Sequence, residues 1–408
     1  MNPSALGWIN RYLDEYKVDL KNLTQYSSEE FYHKLKEVGF IYGTNLIPVS
    51  QKHNKDFKLT QEELAKVNLF TSLYIVYHRK NKERAIDNEK CLKTIIGFYA
   101  QLRKTHRSLF TFKWKNNKND QEVENILHQR IQTNDTFIQK NFSNIVTNAL
   151  LFVDVLSFIQ YLDSKKDVCQ YATLLEEVLV NSLYLALRAK KLKGKYDKVI
   201  IKLVQSSLRY HHIDEEQLKE LSEVNFSFIK SKLEKLYILD MMCMTLYSDE
   251  EIDDNEKSFI LQLTARLEIK ELEVEKSITF LYNFVKENRS EIYYFNISNP
   301  VKYFYDKTYR SVSILIHRNR KRILQELNES KELMHLLVLS SYRELNPGEK
   351  KKVKRQLIDI FKTIPSLTIF ALPGGTLLLP IIIKLIPTIL PSAFNENIKE
   401  SDKKLKKS

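Results

Sequence analysis

Apolar residues recur at helical spacing along the chain from about residue 58 to residue 230. A representative stretch places apolar or small residues on one side, at Leu175, Val178, Leu179, Ser182 and Leu185. The polar residues between them are predicted to face outward, at Glu176, Glu177 and Asn181. No proline falls between Pro48 and Pro300, so nothing in this stretch interrupts a helix. The pattern predicts a multi-helix bundle over 58–230.

Weaker helical patterns flank this bundle. Short amphipathic pieces over 1–57 are predicted to be docking segments. Two further amphipathic stretches predict a separate helical module over 231–290, which connecting helices over 291–348 follow. Within the bundle, the apolar run from Ile145 to Leu162 is interrupted by Asp154 and is shorter than the roughly 20 residues that cross a bilayer. It is therefore predicted to be a buried helix.

One segment departs from the helical period. Residues 110–115 alternate between an aromatic face and a polar face, which is typical of a strand. A solvated hairpin and a surface that binds RNA or lipid both account for this pattern, and the sequence leaves the two open. The fold class predicted for the chain as a whole is all-α.

Composition excludes several functional classes. The 408 residues include only eight glycines, which argues against glycine-rich nucleotide-binding loops. The three cysteines, Cys91, Cys169 and Cys243, are far apart and lack CxxC spacing, so they are predicted to be reduced thiols. The nine histidines form no recognisable catalytic or metal motif. We therefore predict no catalytic residues, no enzyme activity and no organic cofactor.

An acidic turn precedes a helical stretch in the second module. The segment Ser248-Asp-Glu-Glu-Ile-Asp-Asp-Asn-Glu256 resembles the turn of TerB-like helical modules, with Glu250 where that family usually has glycine. The resemblance implies a divalent-cation site at Asp249, Asp253 and Glu256. The alternative is a capping box, in which Asp253 caps the next helix and Glu256 reaches back from its third position.

A charge-free run near the end of the chain is the strongest signal. Residues from Thr363 to Ile383 carry no charge, and as one helix they would span about 31 Å, close to the hydrocarbon thickness of a bilayer. Prolines predict a kinked span or a re-entrant hairpin, and a hairpin in a soluble helical core is the third alternative. The predicted membrane segment over 349–394 contains Lys362, Pro373, Gly374, Gly375, Thr376, Pro380, Lys384, Pro387 and Pro391.

Positive charge is concentrated beside this run. The chain has a net charge of +13, and residues 350–408 hold twelve Lys and Arg against four Asp and Glu. Lysine-rich shoulders beside apolar sequence favour an anionic lipid surface over a nucleic-acid groove. Residues 395–408 form a basic tail. The predicted membrane-surface contacts are Lys350, Lys351, Lys352, Lys354 and Arg355.

The order of prolines in this segment resembles that of a known family. Pro373, Pro380, Lys384-Leu385, Pro387 and Leu390-Pro-Ser-Ala-Phe394 are similar to the span of the LETM family, the leucine-zipper and EF-hand-containing transmembrane proteins of the mitochondrial inner membrane. The similarity extends to their shorter bacterial relatives, some of which are labelled biofilm-associated. It implies cation/proton exchange or ion homeostasis, and ribosome binding by the domain beyond the span. No Asp or Glu lies between Lys362 and Phe394, although a proton-coupled carrier needs a group that titrates.

These observations lead to one expectation and two alternatives. The expected function is that of a noncatalytic LETM-related protein, with cytosolic helical domains tethered by a C-terminal span to the bacterial inner membrane and with a role in envelope or ion homeostasis or biofilm formation. The first alternative is a subunit of a cation/proton antiporter, which would require a homo-oligomer. The second is a ribosome- or RNA-associated binder. Its basic runs would be Lys190, Lys191, Lys193 and Lys195, or the segment from His317 to Arg322.

Overall fold

The computed structural model shows a helical protein. It describes residues 1–50, 58–81, 87–102, 118–131, 148–164, 167–190, 220–247, 253–289, 291–292, 300–340, 343–364, 367 and 379–389. Within these ranges the chain forms sixteen α-helices and one short 3-10 turn, and no β-strand, which confirms the all-α prediction. The strand predicted over 110–115 lies outside the described residues.

The helices are numbered here in chain order. They are α1 (Trp8–Glu15), α2 (Lys17–Leu23), α3 (Ser28–Glu37), α4 (Gln61–Lys80), α5 (Asn88–Leu102), α6 (Asn119–Ile131), α7 (Leu151–Ser164), α8 (Val168–Ala189), α9 (Lys232–Leu246), α10 (Asp254–Leu267), α11 (Glu271–Asn288), α12 (Pro300–Arg318), α13 (Arg320–Glu329), α14 (Lys331–Leu339), α15 (Pro347–Thr363) and α16 (Leu379–Ile389).

The chain divides into two compact units. The larger unit contains residues 6–57 and 61–300, and the smaller unit contains residues 301–408 together with the short segments 2–5 and 58–60. The module predicted over 231–290 lies within the larger unit. Each unit has its own buried apolar side chains.

Helix α4 lies in the core of the larger unit. Every residue from Glu63 to His78 is buried, and the helix contacts α5, α6 and α7. A helix that is covered on all sides must satisfy its polar side chains locally. Accordingly, the Thr71 hydroxyl donates to the Val67 carbonyl and the Ser72 hydroxyl donates to the Asn68 carbonyl, each at 2.7 Å.

Helices α7 and α8 test two predictions for the bundle, a buried helix around Asp154 and an outward polar face between Leu175 and Leu185. The apolar run around Asp154 forms the buried helix α7, as predicted. In α8 the predicted inner face is buried, but Asn181 is buried as well, with 6% of its surface exposed. The predicted outward orientation of Asn181 is therefore wrong, because α8 contacts α5, α7, α9 and α10 and has no broad solvent face.

The end of α3 depends on a glycine. Gly39 has a φ of +77°, and a Cβ atom there would lie 2.2 Å from Thr44 Oγ1, so only glycine fits. The Gly39 amide donates to the Lys36 carbonyl and the Phe40 amide donates to the Leu35 carbonyl, both at 2.9 Å. These two bonds form a Schellman-type ending that stops α3.

The smaller unit is built around α14. This helix contacts α13, α15 and α16, and its residues Leu333, Leu337 and Val338 are fully buried. The predicted membrane segment and its basic shoulder thus extend over two helices, α15 and α16, that pack on the same helix of this unit.

Candidate functional site

The start of α15 is fixed by polar contacts. Asn346 Oδ1 accepts a hydrogen bond from the Glu349 amide at 2.9 Å, and the Glu349 carboxylate accepts one from the Asn346 amide at 2.8 Å. Pro347 occupies the first turn, where its missing N–H costs nothing. Arg343 donates to both oxygens of Glu349 at 2.9 and 2.7 Å, and this contact lowers the pKa of Glu349 to about 2. The basic segment therefore begins at a defined residue.

Helix α15 is amphipathic. Its apolar residues Val353, Leu357, Ile360 and Phe361 are buried on the side that contacts α14. Four of the five cations predicted to touch a membrane surface are exposed. These are Lys350, Lys351, Lys354 and Arg355. Burial of the apolar stripe thus turns these four cations outward.

The five predicted cations differ in their partners. Lys352 forms an ion pair with Glu332 of α14, and Lys350 Nζ lies 3.6 Å from the Glu344 carboxylate. Lys351, Lys354 and Arg355 have no carboxylate partner within the described ranges. The sequence alone could not show which cations are paired, because the carboxylate partners lie on another helix and on the preceding loop.

Helix α16 is apolar and short. Ile381, Ile382, Leu385, Ile386 and Ile389 are buried, and the helix packs on α14. Its last carbonyl, that of Ile389, accepts a hydrogen bond from Arg320 Nε at 2.9 Å. A cation at a helix C-terminus satisfies an unpaired carbonyl and matches the helix dipole. Arg320 therefore fixes the end of this helix.

The charge-free run from Thr363 to Ile383 does not continue α15 beyond its first residue. Helix α15 ends at Thr363, and Ile364 is extended because the residue before a proline disfavours helical geometry. Helix α16 has eleven residues. No helix in the described part of the chain combines the length and the apolar composition needed to cross a bilayer.

The residues predicted to lie in the membrane segment differ in their position and exposure. Lys362 is exposed and lies 3.1 Å from the Asp359 carboxylate. Pro387 lies inside α16 and is partly buried, and Pro380 and Lys384 lie in the same helix. The remaining residues fall outside the described part of the chain, at Pro373, Gly374, Gly375, Thr376 and Pro391.

Each of the two basic runs predicted as alternatives for RNA binding contains a cation that forms hydrogen bonds within the protein. Lys190 is buried and donates to the Thr245 carbonyl at 3.3 Å. Arg318 donates to Asn2 Oδ1 at 3.1 Å and to the Lys58 carbonyl. Of the second run, Lys321 and Arg322 are exposed. Lys191, Lys193 and Lys195 lie outside the described residues.

The acidic turn before α10 forms the capping box that was considered as the alternative to a metal site. Asp253 Oδ1 accepts from the Glu256 amide, and Glu256 Oε2 accepts from the Asp253 amide, both at 2.9 Å. Asp249 lies outside the described residues. Among the residues that are described, no group of three or more His, Cys, Asp or Glu side chains is arranged to hold a metal ion. A cation site at this turn stays a prediction.

A buried charge cluster in the larger unit was not predicted. Arg130 of α6 donates to both oxygens of Asp154 at 2.9 Å, and the Tyr99 hydroxyl donates to Asp154 at 2.8 Å. Glu176 of α8 lies 3.9 Å from the same guanidinium. Burial raises the pKa of Glu176 to about 7, with Arg130 opposing and Asp154 adding to the rise. The one available signal was Asp154, a carboxylate within an apolar run.

Over the described residues, fold and surface together define a class of protein: an all-α protein with an amphipathic basic helix and a short apolar helix in its smaller unit. Residues 345–408 match the family model described as LETM1-like, RBD. The match covers α15 and α16 and makes this part of the chain LETM-related, as the order of its prolines indicated. No curated protein and no solved structure matches the chain.

Proposed function

We propose that this is a noncatalytic, LETM-related membrane-associated protein whose smaller unit contacts an anionic lipid surface through the basic face of α15. The observation that carries the proposal is the set of exposed cations Lys351, Lys354 and Arg355, opposite a buried apolar stripe. Anionic headgroups attract such cations, at about 1 kcal/mol for each Lys or Arg near the surface.

The charge of the smaller unit supports the same proposal. Residues 301–408 contain 21 Lys and Arg against 10 Asp and Glu, a net +11 of the +13 carried by the whole chain. The larger unit is close to neutral, so electrostatic attraction acts mainly on the smaller unit. RNA would respond to the same charge and is therefore the competing partner.

The LETM1-like match over 345–408 supports a location at a membrane, and the proposal adds a role in ion or envelope homeostasis. The proposed location is the cytoplasmic face of the bacterial inner membrane, because that leaflet carries the negative surface potential. We do not extend the proposal to transport, since residues 363–394 contain no Asp or Glu that would exchange a proton within the bilayer.

Vesicle cosedimentation tests lipid contact. The full chain is mixed with vesicles of phosphatidylcholine alone or of phosphatidylcholine with phosphatidylglycerol. We expect binding only to the anionic vesicles and a marked weakening with added salt. The triple variant Lys351→Gln, Lys354→Gln, Arg355→Gln should bind about 100-fold more weakly, because three cations contribute about 3 kcal/mol.

A matched triple variant controls for total charge. Lys270→Gln, Lys276→Gln and Lys286→Gln remove three exposed lysines from the larger unit and should leave vesicle binding unchanged. Equal weakening by both triple variants would refute the role of α15. Binding to RNA without binding to anionic vesicles would refute the lipid proposal and favour the RNA-associated alternative.

Carbonate washing of a membrane fraction addresses the tether separately. Surface contact through cations predicts release of the protein into the wash, whereas a span or re-entrant hairpin between α15 and α16 predicts retention. Because Ile382 and Ile386 are buried and their helix α16 packs on α14, we expect release.

A further inference from the structure

The larger unit contains an open cleft of about 630 Å³ formed by the ends of five helices, α3, α4, α7, α8 and α9. Clefts of this size hold small organic molecules. One wall is apolar and comprises Val76, Leu156, Ile159 and Leu233. Leu156 is on the buried side of α7, so this wall continues into the core of the unit.

Arg79, near the end of α4, lines this cleft with its guanidinium group. Its Nη2 donates to the Ser28 hydroxyl at 2.6 Å. Its Nε atom is buried and has no acceptor among the described residues. The Glu30 carboxylate accepts the Ser27 amide at 2.7 Å in the cap of α3 and acts on Arg79 only through its charge, without an ion pair.

The other charged groups of the cleft already have partners. Lys80 lies 2.5 Å from Asp163, and Lys232 lies 2.7 Å from Glu29. Glu234 accepts the Tyr171 hydroxyl at 2.5 Å and, in the capping box of α9, the Ser231 amide at 2.7 Å. Within the described ranges no carboxylate lies within ion-pair distance of Arg79, so Arg79 is the cation of the lining that has no ion pair. An arginine stays protonated, and its planar fork suits a carboxylate.

We propose that this cleft binds a monoanionic carboxylate with an apolar chain, with the carboxylate on Arg79 and the chain along Val76, Leu156 and Ile159. A guanidinium with no ion pair and an Nε atom without an acceptor matches one carboxylate. The apolar wall beside it matches a hydrocarbon chain, whose transfer out of water is favourable. The ligand class is thus a medium-chain fatty acid or a compound of the same form.

Calorimetric titration of the full chain with octanoate tests this site. We expect saturable binding of octanoate, and binding of neutral octanol and of acetate at least 10-fold weaker, because each lacks one of the two matched features. Replacing Arg79 with glutamine should weaken octanoate about 10- to 100-fold, the range for a lost hydrogen bond to a charged group.

Two further variants keep the test decisive. Arg266→Gln removes an arginine that lines a different cleft and should leave octanoate binding unchanged. Ile159→Trp fills the apolar wall while Arg79 is retained, and it should abolish binding even where Arg79→Gln impairs folding. No heat with octanoate at millimolar concentration, equal affinity for octanol, or unchanged affinity in either cleft variant would overturn the proposal.

Discussion

The environment of Glu176 predicts how the free energy of unfolding depends on pH. Its carboxylate lies 3.9 Å from Arg130, and its side chain is 20% exposed. The groups that act on it are Arg130 and Asp154, and it in turn acts on Tyr237 of α9. The perturbation is Glu176→Gln, which keeps the shape of the side chain and fixes it in a neutral form.

The sign follows from proton linkage. Burial raises the pKa of Glu176 from 4.5 to about 7, so the folded state binds this proton more tightly than the unfolded state. The resulting stabilisation is fully present below pH 4.5 and is lost as the pH rises to about 7. Each pH unit between the two values is worth about 1.4 kcal/mol. Because part of the side chain is exposed to screening solvent, we expect a total of about 1–3 kcal/mol.

Urea denaturation followed by circular dichroism measures this difference. At pH 4.5 the Glu176→Gln variant and the unmodified protein should have similar free energies of unfolding. At pH 8 the variant should be more stable by about 1–3 kcal/mol. Glu177→Gln, at the neighbouring position, controls for the loss of one carboxylate and should not reproduce this change. A variant that is destabilised equally at both pH values would refute the reasoning.

Three further predictions concern the buried cluster and the acidic turn. Arg130→Met leaves Asp154 buried without its cation, so the free energy of unfolding should fall by about 3–5 kcal/mol. Urea denaturation measures this loss. A loss below about 1 kcal/mol would contradict the stabilising role of the Arg130–Asp154 pair. Asp253→Ala removes the cap of α10 and should cost about 1 kcal/mol in the same assay. Millimolar calcium should leave the thermal midpoint of the unmodified protein unchanged, and a rise that is absent from Asp253→Ala would instead show a cation site at the turn.

Much of the local structure was predictable because it depends on near neighbours in the chain. The capping box at Asp253 and Glu256 was visible from the spacing of these two residues. The buried helix around Asp154 was visible from an apolar run too short to cross a bilayer. The basic face of α15 and the LETM-like order of prolines are also properties of the sequence alone.

What each charged residue does was decided by the tertiary structure. Lys352 and Lys354 lie on the same helix, yet only Lys352 meets a carboxylate, that of Glu332 on α14. In the same way Glu176 was predicted to face outward and instead meets Arg130 from α6. The apolar residues of α16 could be assigned to lipid or to a protein interior on composition alone, and it is packing on α14 that buries them. Hydrophobicity shows that a segment avoids water, whereas its contacts determine what replaces the water.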